Sequence, residues 1–229
     1  MPPRPAGEPP LIDPTRTGAV SAIRGVRWGS IARHADDRGS FRELWRAGWF
    51  AGSAGTGGST GIRLPAGPGE TAGTGEAAGT PTQEPRFSQA NLSTSAAGVL
   101  RGLHLHRRQL DYWVVTAGRA WVALVDARAM LDGSAERPIV ETRELAVDST
   151  VTIPAGVAHG FLALEELQLV YVVTAEYDST DELGFAWDDP LASVPWPDVP
   201  GRADGRPILS GRDRSNPSLV RLVERLRSE

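Results

Sequence analysis

The sequence predicts a mainly β fold, a sandwich or barrel that is followed by one short C-terminal helix. Between residues 87 and 196, runs of β-prone residues recur at short spacing, and turn residues rather than helical patterns separate them. Beyond residue 217 the apolar side chains fall at helical spacing instead. Together these two patterns predict a β domain with a helix at its end.

The first 50 residues contain two segments of different composition. Residues 1–18 are rich in proline, which predicts a disordered N-terminus. Ile23, Val26 and Trp28 then predict a short strand, and turn-forming residues at 36–39 separate it from a second strand.

Residues 51–85 consist mostly of glycine, alanine, threonine and proline. Such a composition cannot bury enough apolar surface to offset an ordering cost of roughly 1–2 kcal/mol per residue. The segment before it is too short to form a core of its own. We therefore expect a flexible insertion within a single domain at residues 19–229, and not a linker between two domains.

The central strands follow one another closely. Two β-prone runs, at residues 112–116 and 120–126, flank a predicted turn at Gly118. Four further runs complete the predicted β domain, at residues 139–145, 150–153, 161–164 and 169–174.

The C-terminal helix is expected to begin after an N-cap at Ser215 or Asn216, with Pro217 in its first turn. Its apolar face comprises Leu219, Leu222, Val223 and Leu226.

The composition excludes several classes of function. The chain has no cysteine, so a disulfide framework, a thiolate nucleophile and a cysteine-ligated zinc site are all excluded. The net charge of −4 offers no basic surplus for a nucleic-acid partner. The sequence shows neither a signal peptide nor the ~20 apolar residues of a membrane span. We therefore expect a soluble cytoplasmic protein without nucleic-acid or membrane partners.

Two of the four histidines, His104 and His106, lie in the stretch GVLRGLHLHRRQLDYWVVTAG at residues 98–118. Side chains two residues apart share one face of a strand, so both imidazoles would point the same way. Their spacing to Asp111 resembles the first motif of the cupin jelly-roll barrels, with aspartate where glutamate is usual. The stretch Pro154-x-Gly156-x-x-His159 resembles the second motif, which here has alanine in place of its final asparagine.

Metal-binding cupins hold one ion with three histidines and a carboxylate. The matching residues here are His104, His106, Asp111 and His159. Imidazole and carboxylate ligands suit Fe, Mn, Ni or Zn, and spacing does not choose among these metals. The alternative is that His106 only lines a polar surface and binds no metal.

A longer series of motifs resembles one family. In order, the chain contains FSQANLS at residues 87–93, GVLRGLH at 98–104, IPAGVAHGF at 153–161 and SGRD at 210–213. On these motifs the chain resembles the dTDP-4-dehydrorhamnose 3,5-epimerases, which are cupin-type jelly-roll homodimers. The resemblance implies a dTDP-linked 4-keto-6-deoxysugar as substrate, no cofactor, and a homodimer with swapped N-terminal strands.

The resemblance also implies catalytic roles. His104 matches the base that removes the proton next to the C4 ketone, Asp213 the carboxylate that orients this base, and Tyr171 the acid on the opposite face of the ring. The residue types suit this chemistry, because an imidazole titrates near neutral pH and a carboxylate on its second nitrogen stabilises the imidazolium.

Further positions match substrate-binding residues of the family. Arg101 matches the position that meets the diphosphate, where a guanidinium fork is suited to phosphate oxygens. A second set of matches is expected to line the pocket, namely Gln89, Asn91, His159 and Tyr177. A third set matches the swapped segment that holds the nucleotide base from the neighbouring subunit, namely Arg38, Phe41 and Glu43.

Two departures from the family pattern keep other functions open. Family members commonly have glutamine at the position of His106 and lysine at that of Asp111, so a negative charge replaces a positive one. A metal held by the four-residue set would occupy His104, which then could not act as the base. Three hypotheses follow: epimerisation at C3, C5 or both, a metal-dependent cupin enzyme, or a non-catalytic sugar-nucleotide-binding homologue.

Overall fold

The computed structural model describes residues 20–50 and 86–229. The disordered N-terminus expected at residues 1–18 and the insertion expected at 51–85 lie outside the described residues. The described part forms two five-stranded antiparallel sheets and a two-stranded hairpin. None of its helices is long and apolar enough to cross a bilayer.

The strands are numbered in chain order. In spatial order the first sheet comprises β1 (Arg27–Ser30), β9 (Ser149–Ile153), β6 (Asp111–Ala117), β11 (Leu167–Val173) and β4 (Gln89–Ser95). The second sheet comprises β12 (Leu183–Gly184), β5 (Leu100–Leu105), β10 (Val157–Ala163), β7 (Ala120–Asp126) and β8 (Ile139–Leu145). The hairpin consists of β2 (Arg33–Asp36) and β3 (Gly39–Arg42). The helices are a 3-10 turn at Ala47–Trp49 and α1 (Arg128–Leu131), α2 (Gly211–Ser215) and α3 (Leu219–Ser228).

The main core lies between the two sheets. Trp113 and Val115 of the first sheet belong to one buried cluster with Val122, Leu124 and Phe161 of the second. Burial of each such side chain contributes about 1.5–3 kcal/mol. The mainly β jelly-roll sandwich predicted from the sequence is thereby confirmed.

A second core covers the outer face of the second sheet. The apolar stripe of α3 packs there with Leu103 and Leu105 of β5 and Ala123 and Val125 of β7. All seven residues of β10 are buried, because this strand has the main core on one face and this second core on the other. The C-terminal helix and its apolar face are as predicted.

The start of this helix differs from the prediction. The N-cap is Ser218, whose side chain accepts a hydrogen bond from Arg221 N at 3.4 Å, and not Ser215 or Asn216. Ser215 instead ends α2, and Asn216 has extended backbone dihedral angles. Pro217 therefore precedes the cap rather than lying in the first turn.

The strand predictions hold best in the middle of the chain. β7 and β8 coincide with the predicted runs at 120–126 and 139–145. The turn expected at 36–39 joins β2 to β3. The strand predicted from Ile23 begins only at Arg27, since Ile23 and Val26 are buried in an irregular segment.

Gly102 permits a close contact between β5 and β10. Its φ angle is +125°, and a Cβ atom there would lie 2.6 Å from Gly160 Cα and 2.8 Å from the carbonyl oxygen of His159. Only glycine fits this position. The contact helps to place His104 directly opposite His159 in the register of the second sheet.

Candidate active site

A cavity of about 340 Å³ opens between the sheets and brings together most of the predicted site residues. Seven residues with an expected catalytic or binding role line it, namely Gln89, Asn91, Arg101, His104, His159, Tyr171 and Tyr177. The two unusual residues His106 and Asp111 line it as well. Such a concave site with converging polar groups is typical of a small-molecule pocket.

His104 is paired with Asp213. The Nε2 atom of His104, in β5, donates a hydrogen bond to Asp213 Oδ1, in α2, over 2.7 Å. Because the carboxylate accepts at Nε2, the other ring nitrogen, Nδ1, carries the lone pair that can take up a proton. Ser210 holds the carboxylate in turn: its hydroxyl donates to Asp213 Oδ2 at 2.8 Å and accepts from Asp213 N at 3.0 Å.

Asp213 is ionised at neutral pH in spite of its burial. Its side chain is 4% exposed, and burial by itself raises the pKa. The hydrogen bond and charge of His104, with smaller contributions from Ser210 and Arg212, outweigh burial, so the net pKa is lowered. The carboxylate is therefore available to stabilise an imidazolium at His104.

Tyr171 lines the same cavity from the first sheet and is half-buried. Burial raises the pKa of its phenol, and the negative charges of Asp111 and Glu182 raise it further, while Arg101 opposes them. The hydroxyl is thus protonated at neutral pH, and it can donate a proton but is a poor base.

His106, Asp111 and His159 form a buried cluster beside this pair. One ligating atom from each lies within 4.8 Å of the corresponding atoms of the other two. His104 is not part of this cluster, and its Nε2 is bonded to Asp213 Oδ1. The described residues therefore bring together three of the four side chains expected for a cupin metal site.

The protonation state of His159 is set by its surroundings. Its pKa is lowered to about 4, mainly by burial; Asp111 raises it, and the neighbouring His106 and His104 lower it. The ring is therefore neutral at physiological pH.

Asp111 points into the cavity and is held by two donors. Gln109 Nε2 donates to its Oδ1 at 2.8 Å, and Trp113 Nε1 donates to its Oδ2 at 3.1 Å. Its Oδ2 also lies 3.8 Å from His159 Nε2. This carboxylate belongs to the pocket and is not turned away from it.

Arg101 and the polar residues on β4 form the rim. The Arg101 guanidinium is exposed, and it donates to Ser95 Oγ at 3.0 Å and to the carbonyl oxygen of Thr94 at 3.2 Å. Gln89 Nε2 donates to Asn91 Oδ1 at 2.8 Å, and Gln89 Oε1 accepts from Tyr177 N at 3.0 Å. The Tyr177 side chain projects into solvent with 71% exposure.

The structure does not bring Arg38, Phe41 or Glu43 to the cavity of their own chain. Phe41 is 66% exposed on the hairpin, Arg38 is paired with Asp36, and Glu43 is paired with Arg46.

The cavity residues that were not anticipated from the sequence include Gln109, Trp113, Glu182 and Arg212. Trp113 had a local signal, because it lies two positions after Asp111 on the same face of β6. Glu182 and Arg212 form an ion pair at 2.6 Å across 30 positions, and no sequence pattern marks such a contact.

Comparison with known proteins decides the family. The sequence model described as dTDP-4-dehydrorhamnose 3,5-epimerase matches residues 74–221. The chain belongs to this family. The resemblance drawn from the motifs is thereby confirmed.

Individual members of the epimerase family align less completely. The dTDP-4-dehydrorhamnose 3,5-epimerase of Mycobacterium tuberculosis is 37% identical over 137 residues, which cover 57% of this chain and 65% of the relative. The chain thus spans just under two thirds of that relative.

Two solved structures of epimerases have similar folds. An epimerase from Mycobacterium tuberculosis has a TM-score of 0.66 and 29% identity, over 91% of this chain and 89% of the other. A 3'-monoepimerase from Streptomyces bikiniensis, in complex with dTDP-quinovose, has a TM-score of 0.67 and 25% identity, over 90% and 89%.

Proposed function

We propose that this chain epimerises a dTDP-linked 4-keto-6-deoxysugar at C3, C5 or both. The observation that carries the proposal is the His104–Asp213 pair, whose imidazole lines the same cavity as the protonated phenol of Tyr171. A base and an acid of this kind are what inversion at a carbon next to a ketone requires.

In the proposed reaction, His104 Nδ1 removes the proton from the carbon beside the C4 ketone. The electrons of the broken C–H bond form a carbon–carbon double bond to C4, and the electrons of the carbonyl π bond move onto the C4 oxygen. The ketone thereby becomes an enolate. Asp213 stabilises the imidazolium that forms, as a buried carboxylate does in other histidine-based sites.

Tyr171 then returns a proton to the opposite face of the same carbon, and the ketone is restored. One turnover leaves His104 with an extra proton and Tyr171 without one, and exchange with water resets both groups. No electrons are transferred overall, so the proposed step needs no redox or organic cofactor.

The rim residues suit the rest of the proposed substrate. The exposed guanidinium of Arg101 is suited to the diphosphate, while Gln89, Asn91 and Tyr177 offer polar contacts to the nucleotide sugar. The dTDP-quinovose held by the Streptomyces relative supports the choice of nucleotide. We further propose a homodimer, in which Arg38, Phe41 and Glu43 of one chain contact the nucleotide bound by its neighbour.

Proton exchange in D₂O tests the proposal. The chain is incubated with dTDP-4-keto-6-deoxyglucose, and NMR follows deuterium at C3 and C5. The wild type should incorporate deuterium at one or both carbons. His104→Gln, which keeps a donor for Asp213 but removes the base, should exchange at least ~10²-fold more slowly.

A non-catalytic sugar-nucleotide-binding protein is the second candidate. Asp111 favours it, because a carboxylate lining the cavity disfavours a developing enolate. Thermal stabilisation of the wild type by dTDP, without deuterium incorporation at either carbon, would support this candidate and reject the epimerase.

A further inference from the structure

The cluster of His106, Asp111 and His159 forms one compact and buried group at the cavity wall. Their exposed fractions are 6%, 3% and 4%, and all three line the cavity. They come from three places in the fold: His106 follows β5, Asp111 begins β6, and His159 lies in β10. The proposed epimerisation assigns a proton transfer to none of the three.

Both imidazoles are oriented by backbone carbonyls. His106 Nδ1 donates to the carbonyl oxygen of Asp181 at 3.0 Å, and Glu182 Oε1 lies 3.7 Å from the same nitrogen. His159 Nδ1 donates to the carbonyl oxygen of Val157 at 3.2 Å. In a neutral ring, a bond donated by Nδ1 leaves the free lone pair on Nε2. Histidines that bind metals are typically held by such a bond on the other nitrogen.

Asp111 is a buried carboxyl group with few polar partners. Gln109 and Trp113 each donate one hydrogen bond to it, which leaves further lone pairs on both oxygens. Within residues 20–50 and 86–229, the basic side chain at ion-pair distance from Asp111 is His159, at 3.8 Å. The sequence contains no lysine, so no lysine ammonium group can accompany this carboxylate. A buried carboxylate without a cation is costly, and a metal ion removes that cost.

We propose that His106 Nε2, Asp111 and His159 Nε2 bind one divalent first-row transition-metal ion. Two imidazoles and one carboxylate suit Zn²⁺, Fe²⁺, Mn²⁺, Co²⁺ or Ni²⁺ better than Mg²⁺ or Ca²⁺. The ligating atoms of a tetrahedral site lie about 3.4 Å apart, so the three side chains close by roughly 1 Å around the ion. Three protein ligands leave a coordination position for an oxygen of a molecule in the cavity.

His104 remains outside this site, and this separates the proposal from a four-ligand cupin centre. In a four-ligand centre the metal would occupy His104 and remove the base. In the geometry found here the cluster does not include His104, whose Nε2 is bonded to Asp213, so the metal and the His104–Asp213 pair can share one cavity.

Cobalt binding tests the site without any substrate. The full chain is purified without a histidine tag, its metal content is measured, and it is then stripped with a chelator and titrated with Co²⁺ and Zn²⁺. Visible absorption of Co²⁺ and calorimetry with Zn²⁺ should give one ion per chain. Asp111→Asn should weaken binding by at least ~100-fold, because it removes a charged ligand.

Two variants serve as controls in this titration. Asp204→Asn removes an exposed carboxylate that lies outside the cavity, and it should bind Co²⁺ like the wild type. His104→Gln should also retain one ion per chain with unchanged affinity. Loss of Co²⁺ binding in His104→Gln would instead indicate the four-ligand centre and overturn the proposal.

X-ray absorption of the Co²⁺-loaded wild type keeps the test independent of variants that fail to fold. The spectrum should show two imidazole ligands, and three would contradict the proposal. If the stripped wild type shows no saturable binding of Co²⁺ or Zn²⁺, the site is rejected. Because these measurements use no sugar nucleotide, their failure would leave the proposed epimerisation untouched, and failure of the epimerisation would leave the metal site untouched.

Discussion

The Nε2 atom of His104 lies 2.7 Å from Asp213 Oδ1, although 109 positions separate the two residues. A strand supplies the imidazole and a five-residue helix supplies the carboxylate. The contact depends on how α2 packs beside β5, and Ser210 fixes the carboxylate within α2. The predictions below test this pair and the groups around it.

Asp213→Asn should lower kcat by roughly 10²–10⁴-fold and leave KM nearly unchanged. An amide does not stabilise an imidazolium, and it can hold His104 in the wrong tautomer. Steady-state kinetics on the keto-sugar substrate measures the effect. Asp204→Asn is the matched control, since its carboxylate is exposed and remote from the cavity. A kcat close to that of the wild type would show that Asp213 does not assist the base.

Ser210→Ala should reduce both stability and kcat, because Ser210 caps α2 and also donates to Asp213. Loss of an N-cap costs about 1 kcal/mol of unfolding free energy. Loss of the hydrogen bond from Ser210 to the charged Asp213 costs about 1.5 kcal/mol. If this cost falls on the transition state, kcat should drop roughly tenfold. Urea unfolding and kinetics measure the two effects. Ser218→Ala, which removes the cap of α3, should destabilise the fold but keep kcat; equal kcat losses in both variants would contradict the assignment.

The rate should stay high well into the alkaline range. Tyr171 must be protonated to donate, and in the metal-free protein burial together with Asp111 and Glu182 raises its pKa above the ordinary value of about 10. Activity limited by this group is present below the raised pKa and is lost only as the pH climbs through it. The pH dependence of kcat between pH 7 and 11 checks this expectation. A fall that begins below pH 9 would point to a different group.

Arg101→Ala should raise KM by roughly 10–100-fold, because the guanidinium is proposed to bind the diphosphate by charge-assisted hydrogen bonds. The value of kcat should change far less, since Arg101 is not assigned a proton transfer. Arg119→Ala is the control: Arg119 is an exposed arginine paired with Glu144 and Glu165 outside the cavity. If Arg101→Ala has the KM of the wild type, the diphosphate binds elsewhere.

Two inactive variants should restore activity when they are mixed. His104→Gln lacks the base, and the double variant Arg38→Ala/Phe41→Ala lacks the hairpin contacts proposed to reach the neighbouring cavity. Random mixing would give about a quarter of wild-type activity per chain, because half of the dimers are hybrids with one intact site each. Activity assays after mixing, with sedimentation to verify dimers, measure this. Unaltered activity of the double variant by itself would argue against a shared site.

The sequence determined the β architecture, because the signals for it are local. The β-prone run along β6, turn residues such as Gly118 and the apolar stripe of α3 depend only on neighbours in the chain, so they predicted the elements well. The motif around His104 likewise predicted the family. The short helix α2 was missed, although Ser210 and Asp213, three positions apart, are a recognisable capping pair.

The family resemblance predicted that Asp213 orients His104, whereas the tertiary structure alone decided how the other polar side chains of the cavity group together. The packing of α2 pairs His104 with Asp213, and this pairing leaves His106, Asp111 and His159 as a separate cluster instead of a four-residue set. The hairpin with Phe41 stands away from the cavity of its own chain. Such relationships depend on strand register and on contacts between elements more than a hundred residues apart, which local periodicity does not encode.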